Sequence, residues 1–484
     1  MLISHQICIN HYDVYSDCEN PFPSGCCSIG TAFVCDGVNL THAHELTDEI
    51  PQSCTNINIA NAKNSFISNG DWKFLSNLTN LRELSFFNTK ISSLWDLKSV
   101  YIKNLGKLKR FSLAFGELQI FPGVIFTKLS SLRYLNLKCN MLQDIGDGNW
   151  NFSSLNTLFL NNNRITAVTA GQFKGLRNLS KLDLSYNRIG YFSLKVLDCM
   201  PNLQYLILSF NRLAYLSEYI GQNLNLESIF LHSNQFESFD PFVYNGFKSL
   251  KFIDFHNNNI KDSPNVNSIK NLTSLMRLSL SVNAIKHLTP LFFDSFPCLH
   301  KASVAHNGMH YIDETTFRSV PNLTSIIMAH NQIHTIPRQL FQHLQKLDII
   351  ELQFNRIQIF DPIFLNHLSP QVQLFIDGNP LVCDCQAVPL LKWLRQSETP
   401  PHLFPECRSP TALQNQSIYY AELPQDCSNT TGMTVYPNDP TTLYPSEPGY
   451  DEYTLYLYLI AGTFIMMLMC ICYASLRFGR HGAS

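Results

Sequence analysis

A leucine pattern closed by an asparagine returns every 23–27 residues along most of this chain. It reads L-x-x-L-x-L-x-x-N-x-L, and one clean copy consists of Leu179, Leu182, Leu184, Asn187 and Ile189. Thirteen units at such even spacing predict a solenoid, because each unit can bury its apolar face only against its neighbours. The units begin at Leu81, Leu108, Leu132, Leu155, Leu179, Leu203, Leu226, Leu250, Leu275, Leu299, Leu323, Leu347 and, with a weaker match, Gln371.

The L-x-L core of each unit alternates with period two, which predicts a short strand whose leucines point inward. Strands of successive units then stack about 4.8 Å apart as a parallel sheet on the concave side. The asparagine comes where the chain turns into the core, and its amide can bond backbone groups of the neighbouring turn. Thr89 and Gly116 replace it in the first two units. The predicted asparagine ladder consists of Asn140, Asn163, Asn187, Asn211, Asn234, Asn258, Asn283, Asn307, Asn331, Asn355 and Asn379.

A second apolar position falls about 18 residues into the unit, and we expect it to pack the convex side beneath short helical segments. These residues, like the leucines and the asparagines, are predicted to be core without a ligand role. They are Phe126, Trp150, Phe173, Phe293, Phe317 and Phe341.

This pattern resembles the leucine-rich repeats, and the resemblance covers about residues 54–427. The unit with a phenylalanine near its end is similar to those of extracellular animal proteins, including Toll-like receptor ectodomains and neuronal adhesion receptors. The resemblance implies an α/β solenoid, a horseshoe with a concave parallel sheet and a cysteine cap at each end. The repeats proper are expected over residues 54–381, with a degenerate first unit that includes Ile57, Ile59 and Phe66.

The segment from Asn379 to Cys385 reads N-P-L-V-C-D-C and resembles the start of the family's C-terminal cysteine cap, expected over residues 382–427. The resemblance implies that Cys383 pairs with Cys407 and that Cys385 pairs with Cys427. Stapled loops of this kind cover the apolar end of the last turn. Zinc binding is the alternative, and the lack of a C-x-x-C partner disfavours it.

Residues 1–53 resemble an N-terminal cysteine-rich cap, although the adjacent Cys26 and Cys27 depart from the usual spacing. The six cysteines of this end allow fifteen pairings, among which the sequence does not choose. They are Cys8, Cys18, Cys26, Cys27, Cys35 and Cys54.

The two clusters of cysteines indicate an oxidising compartment. Eight N-x-[ST] sequons agree with that interpretation, since such sites are glycosylated on the surface of secreted chains. They are Asn39, Asn77, Asn151, Asn178, Asn271, Asn322, Asn415 and Asn429.

Residues 455–476 form an uncharged stretch long enough to cross a bilayer as one transmembrane helix. Residues 428–454 are an acidic stalk rich in Pro and Thr that we expect to be disordered. Arg477 and Arg480 place the tail, residues 477–484, in the cytosol by the positive-inside rule. Type I topology also needs a secretion signal, which the first 25 residues lack, so we expect the start to be truncated or misassigned. A tail-anchored cytosolic protein is the alternative.

Residues of the predicted strands that alternate outward line the concave face. Its N-terminal part is basic, and its middle carries aromatic side chains of the kind favoured at interface hot spots. We therefore predict that Tyr134, Phe159, Tyr205, Phe230 and Phe252 contact a ligand. Arg110 and Arg133 are predicted to assist them. In the alternative, these rings stack on neighbours in the sheet and cover the edge of the core.

Five histidines also fall on this face: His232, His256, His300, His306 and His330. Adjacent units would place His232 beside His256 and His306 beside His330. Such columns can bind a metal or respond to pH, but a histidine at this position is an ordinary repeat residue, and we predict no metal site from the sequence. Cys139, Cys199 and Cys298 stand alone in the repeats, and Cys139 is predicted to face outward.

We find no nucleophile, phosphate-binding or metalloprotease motif, so we expect neither enzymatic activity nor a cofactor. A formal charge of −2 does not indicate nucleic-acid binding. The sequence favours a single-pass plasma-membrane receptor that binds an extracellular protein or glycan and acts as an accessory or decoy receptor, similar to signalling-deficient relatives of the Toll-like receptors. A homodimer or a signalling co-receptor is the expected partner. The alternatives are an adhesion protein and a truncated hormone-receptor ectodomain.

Overall fold

The computed structural model describes residues 26–38, 46–62, 71–92, 94, 99–126, 128–146, 152–216, 225–239, 244, 246–261, 272–289, 292–397 and 405–423. All of them belong to one compact unit that extends to Gln425.

The described residues form a sixteen-stranded sheet whose strands follow one another in chain order. The first two strands make an antiparallel hairpin, and every later neighbour is parallel. The sheet strands are β1 (Cys26–Ile29), β2 (Ala32–Asp36), β3 (Asn56–Ala60), β4 (Glu83–Phe87), β5 (Arg110–Ala114), β6 (Tyr134–Asn136), β7 (Thr157–Phe159), β9 (Lys181–Asp183), β11 (Tyr205–Ile207), β12 (Ser228–Phe230), β13 (Phe252–Asp254), β14 (Arg277–Ser279), β15 (Lys301–Ser303), β16 (Ser325–Ile327), β17 (Ile349–Glu351) and β18 (Gln373–Phe375). Two short parallel pairs lie outside the sheet: β8 (Ala167–Val168) with β10 (Tyr191–Phe192), and β19 (Leu381–Val382) with β20 (Cys407–Ser409).

The register of the sheet has no slip between repeat units. Leu206 pairs with Ile229, and Ile229 pairs with Ile253, each at the centre of its strand. These central side chains are fully buried, so the strands stack their leucine positions into one continuous core. The predicted solenoid with a parallel sheet is confirmed.

The asparagine ladder joins the turns as predicted. The Nδ2 of Asn187 donates to the carbonyl oxygens of Leu160 in the preceding unit and Leu184 in its own unit, at 3.0 and 2.9 Å. Its Oδ1 accepts the backbone N–H of Ile165 at 3.0 Å. Each amide thus satisfies three backbone groups that have no partner in the sheet.

The ladder begins at Asn140 because of the side chains before it. Gly116 stands at the ladder position of the preceding unit, where a Cβ atom would lie 2.6 Å from Oδ1 of Asn140. Thr89, one unit earlier, is fully buried, and its hydroxyl has no hydrogen-bond partner. The first two units therefore close without the amide bonds of the others.

Short helices and turns form the convex side. Phe293, Phe317 and Phe341 are buried there and contact in sequence, with ring centroids 5.0 and 5.7 Å apart. Phe126 and Phe173 are also fully buried, whereas Trp150 lies outside the described residues. The described α-helices are Leu46–Glu49, Ser99–Asn104, Gly123–Phe126, Pro362–Asn366 and Val388–Gln396; the 3₁₀ segments are Asp71–Leu75, Leu194–Cys199, Phe292–Ser295, Cys385–Ala387 and Thr411–Leu413.

The C-terminal cap closes the solenoid with the helix Val388–Gln396. Leu390, Trp393 and Leu394 of this helix join the core of the repeats. The predicted Cys383–Cys407 disulfide is present. Cys385 is also disulfide-bonded, but Cys427, its predicted partner, lies outside the described residues.

The N-terminal cap is a hairpin of β1 and β2 that a Cys26–Cys35 disulfide joins. Cys27 is disulfide-bonded as well. Cys54, in contrast, is a buried free thiol whose Sγ donates to the carbonyl oxygen of Asn56 at 3.2 Å. Ile57 and Ile59 of β3 point into the core, as predicted for a degenerate first unit, and Phe66 lies outside the described residues.

Among the residues that the structure describes, no helix is both long enough and apolar enough to cross a membrane. The predicted stalk, transmembrane helix and tail, residues 428–484, all lie outside that part of the chain. They stay predictions, as do the remaining domain boundaries.

Candidate ligand-binding face

The sheet presents its outward side chains in regular columns. The first and third residues of each strand point to the concave face, and the second points into the core. Tyr205, Ser228, Phe252 and Arg277 are consecutive members of the first column. Neighbours in a column belong to adjacent strands, which brings their side chains into contact although they are more than twenty positions apart in the chain.

Four side chains near the N-terminal end of this face form what we call the basic–aromatic cluster: Arg110, Tyr134, Phe159 and Lys181. The guanidinium of Arg110 lies 5.2 Å from the centre of the Tyr134 ring. The Tyr134 and Phe159 rings are 5.5 Å apart, and Nζ of Lys181 lies 5.3 Å from the centre of the Phe159 ring. These are cation–π distances, so the two cations are held over the rings at the surface.

Partial burial shifts the pKa values of acidic groups in and beside this cluster. Burial raises the pKa of Tyr134, and the nearby Arg110 opposes that rise. Burial also raises the pKa of Asp183, against hydrogen bonds that its Oδ1 accepts from the hydroxyl and the N–H of Ser185. Arg133, which precedes β6, is exposed. Among the residues that the structure describes, neither Arg110 of this cluster nor the neighbouring Arg133 forms an ion pair.

The other predicted contact residues lie in the middle of the face, and we call Tyr205, Phe230 and Phe252 the central aromatic cluster. The Phe230 and Phe252 rings are 5.1 Å apart and half-buried. Tyr205 is 40% exposed and is separated from Phe252 by Ser228 alone in the first column. The Phe230 and Phe252 rings thus point outward and contact each other at an interplanar angle of 59°.

A further column, not predicted as a unit, consists of the residues just before the ladder asparagines. These residues adopt left-handed backbone, with φ of 53° at Tyr186 and 55° at Phe210, and their rings stack 4.1 Å apart. His306 and His330 stack at 4.0 Å, as their spacing predicted, and His330 stacks on Phe354 at 4.4 Å. Positive φ is costly for a residue with a side chain, so the tight turn into the core imposes it.

His232 and His256 also stack, with ring centroids 4.2 Å apart, which confirms the predicted adjacency. Asp254 lies beneath them, and its Oδ1 is 2.8 Å from Nδ1 of His256. Burial, reinforced by the neighbouring His256, lowers the pKa of His232 to about 4. Burial acts to raise the pKa of Asp254, but the hydrogen bonds and charge of His256 hold it below its usual value. His300 stands apart, with Nδ1 2.7 Å from the carbonyl oxygen of Cys298.

With the geometry in place, comparison with known proteins identifies the repeats. The family model described as "Leucine rich repeat" matches residues 153–213, 297–357 and 321–381. The matched residues are leucine-rich repeats. The described units outside the matched ranges share the same strand register and the same asparagine bonds, for example at Asn258 and Asn283.

Two curated leucine-rich repeat proteins resemble part of the chain. Lumican of Gallus gallus is 31% identical over 167 residues, which are 34% of this chain and 48% of lumican. Lumican of Coturnix japonica is 26% identical over the same shares. The chain thus spans about half the length of the curated relatives that it matches.

Three solved structures share the fold. A leucine-rich repeat protein of Leptospira interrogans is 22% identical with a TM-score of 0.58, over 72% of this chain and 90% of that one. TLR13 in its complex with ssRNA13 is 22% identical with a TM-score of 0.62, over 78% of this chain and 58% of that one. The Drosophila Toll–Spatzle complex is 18% identical with a TM-score of 0.57, over 81% of this chain and 64% of that one. At these identities the likeness shows the fold alone.

Four of the eight predicted glycosylation sites lie in the described residues. Asn77, Asn178 and Asn415 are exposed, and Asn322 is half-buried. Asn178 belongs to a second set of asparagines on the lateral edge of the repeats, before the first leucine of the unit. Its Nδ2 donates to the carbonyl oxygen of Ser153 at 2.5 Å. Asn39, Asn151, Asn271 and Asn429 lie outside the described residues.

The isolated cysteines of the repeats have different environments. Cys298 is exposed on the lateral edge, and Cys199 is half-buried in its 3₁₀ segment. Burial raises the pKa of the Cys199 thiol, and Asp198 adds to the rise. Cys139, predicted to face outward, is half-buried with a φ of 55°. It precedes Asn140 and so belongs to the left-handed column that also holds Tyr186 and Phe210.

Proposed function

We propose that this leucine-rich repeat protein is a cell-surface receptor of type I topology that binds an extracellular protein or glycan on its concave face. The observation that carries the proposal is the run of outward rings and cations from Arg110 to Phe252. Large outward rings that are exposed or half-buried on one face favour a partner, because their full burial contributes strongly at interface hot spots.

The charges of the face favour a ligand with an anionic region. Arg110 and Lys181 rest on rings of the basic–aromatic cluster, and Arg133 is exposed next to it. Arginine and lysine over rings offer both charge and a flat apolar surface. A ligand with acidic or sulfated groups at one end and an apolar patch on the adjoining strands would match both clusters, because Tyr205 pairs directly with Lys181.

The solved structures that share the fold suggest which classes of ligand to test. One of them is a complex of TLR13 with the RNA ssRNA13, and another is a complex of Toll with Spatzle. Each of these ligands belongs to the protein that it was solved with. Together they favour a screen that includes proteins and RNA, even though the net charge of this chain does not indicate nucleic-acid binding, and the cations of the face add sulfated glycans to it.

The experiment displays the full chain on cells, with a secretion signal added, and probes it with arrays of extracellular proteins, sulfated glycans and single-stranded RNA. The test variant carries Tyr205→Ala, Phe230→Ala and Phe252→Ala. The matched control carries Tyr191→Ala, Tyr215→Ala and Tyr311→Ala, which removes three tyrosines that are 40–59% exposed away from the concave columns.

We expect a ligand that the wild type and the control bind equally and that the test variant no longer binds, with both variants folded at the cell surface. A ligand that the test variant binds with unchanged affinity would contradict the concave-face proposal. A ligand that is itself an adhesion protein on neighbouring cells would favour the adhesion alternative.

The accessory or decoy role rests on the sequence expectation that residues 455–476 cross the membrane and residues 477–484 are cytoplasmic. Surface staining of intact cells, with and without glycosidase, tests the topology. Glycosylated repeats at the surface would support it, and unglycosylated repeats that stain only after permeabilisation would contradict it.

A further inference from the structure

His232, Asp254 and His256 converge at the end of two adjacent strands. Phe230 of β12 pairs with Asp254 of β13, and each histidine follows two residues after one of these partners. One ligand atom from each of the three side chains lies within 4.8 Å of the others. Among the residues that the structure describes, no other group of three His, Cys, Asp or Glu side chains comes this close together.

The carboxylate of Asp254 is fixed in place by the backbone. Its Oδ1 accepts the N–H of His256 at 3.0 Å, and Asp254 is only 8% exposed. The same turn occurs at Asp183, whose Oδ1 accepts the N–H of Ser185, and at Asn136, whose Oδ1 accepts the N–H of Lys138. The turn therefore recurs in other units, and the two neighbouring histidines are what distinguish Asp254 from Asp183 and Asn136.

We propose that His232, Asp254 and His256 form a binding site for a divalent transition-metal ion of the Zn²⁺ class. Two imidazoles and one carboxylate are a common set of three protein ligands for zinc, which leaves a fourth position open. Ligand atoms about 2.1 Å from a tetrahedral ion are about 3.4 Å from one another, so small rotations close the observed separation. Both imidazole rings are only partly buried, so water can reach the open position.

The surroundings of the site favour a bound ion. The ring of Phe210 meets that of His232 edge-on at 5.2 Å and excludes water from one side. Ser233, next to His232, has its Oγ 3.3 Å from Nδ1 of that ring and accepts a hydrogen bond from Asn257 at 3.0 Å. Such outer contacts orient the rings of metal-binding histidines.

A second stacked pair of histidines in the chain serves as a control for the metal site. His306 and His330 stack at 4.0 Å two units further along, almost as His232 and His256 do. Ala305 and Ala329 occupy the neighbouring positions, and no metal-ligating group of three includes this pair among the described residues. If any stacked pair of histidines bound metal, both pairs would bind it. If the third ligand is needed, only the pair of His232 and His256 binds metal.

The experiment titrates the purified full chain with Zn²⁺ by calorimetry and with Co²⁺ by visible absorption, which reports tetrahedral nitrogen and oxygen ligation. His232→Phe removes one ligand and keeps an aromatic ring at that position. A phenylalanine can stack in this way, because Phe354 stacks on His330 in the adjoining column. Asp254→Asn removes the charge and keeps the turn, as Asn136 does in its own unit. His306→Phe is the matched control, and thermal unfolding checks that each variant is folded.

We expect one equivalent of Zn²⁺ per chain and a tetrahedral Co²⁺ spectrum. His232→Phe and Asp254→Asn should each weaken binding at least tenfold and abolish that spectrum, while His306→Phe should change the affinity less than twofold. The proposal fails if the wild type binds no Zn²⁺ at 100-fold molar excess. It also fails if folded His232→Phe and Asp254→Asn bind as tightly as the wild type, since the ion then lies elsewhere. Neither readout involves a ligand of the concave face.

Discussion

The buried asparagine ladder should be worth far more to stability than the asparagines on the lateral edge. Asn211 is 8% exposed; its Nδ2 donates to the carbonyl oxygens of Leu184 and Leu208 at 3.0 and 2.9 Å. Its Oδ1 accepts the N–H of Ile189 at 3.0 Å. Asn211→Ala leaves the buried N–H of Ile189 without a partner, which costs about 1–3 kcal/mol. The two carbonyl oxygens each lose one bond, worth about 0.5–1.5 kcal/mol, and keep the bond from Asn187 or Asn234. We therefore expect a loss of about 2–6 kcal/mol.

Asn202→Ala is the matched control, because Asn202 also donates its Nδ2 to a carbonyl oxygen, that of Arg177 at 2.9 Å, but is exposed. Water replaces that bond, and we expect a loss below about 1 kcal/mol. Urea unfolding measures both free energies. Hydrogen exchange should locate the damage, with faster exchange of the Ile189 amide in Asn211→Ala alone. Equal losses in the two variants, or an unchanged Ile189 amide, would refute the assignment of the ladder as a main stabilising element.

Two further predictions concern stability. Since the pKa of His232 is lowered from 6.5 to about 4 in the fold, the unfolded chain takes up a proton that the folded chain refuses as the pH falls between those values. The contribution of His232 to the free energy of unfolding should therefore fall by about 3 kcal/mol between pH 6.5 and pH 4. Urea unfolding across that range, with a metal chelator present, should show a shallower decrease in stability for His232→Phe than for the wild type. An identical decrease in both proteins would contradict the lowered pKa. Gly378 has a φ of 72°, and an added Cβ would lie 2.5 Å from Cδ1 of Phe354. Gly378→Ala should cost about 1–3 kcal/mol, whereas Gly171→Ala, where a Cβ meets nothing within 4 Å, should stay within about 0.5 kcal/mol; similar melting temperatures for both variants would disprove the reasoning.

The solenoid could be predicted from the sequence because each unit uses the same local solution. The leucines of L-x-L and the closing asparagine satisfy the same needs in every unit, so period and residue type suffice to place Leu206 in the core and Asn211 in the ladder. The Cys383–Cys407 pairing came from the resemblance to the family, and the structure confirms it. Columns were predictable for the same reason: equal spacing in the sequence becomes adjacency across strands, as with His306 and His330.

The remaining features depend on details that a period does not encode. That Asp254 lies under two histidines requires knowing that its side chain folds back on the N–H of His256. The left-handed backbone before each ladder asparagine occurs at residues as different as Phe210, Ser233 and Val282, so it cannot be predicted from the residue type. Cys54 looked like a cap cysteine by position, yet the Cys26–Cys35 hairpin closes without it.

The most direct test of the central claim is to place a glycan on the concave face. Ile207→Asn creates the sequon N-L-S with Leu208 and Ser209, at an outward position of β11 where Ile207 pairs with Asp183 and Phe230. The control variant, Arg164→Asn, creates the sequon N-I-T with Ile165 and Thr166 at an exposed loop position outside the sheet. Binding of the ligand found by the screen would be measured on cells for both variants, with gel shifts that verify glycan attachment. We predict that the glycan at position 207 abolishes binding and that the glycan at position 164 does not. Undiminished binding to a variant glycosylated at position 207 would contradict a ligand site on the concave face.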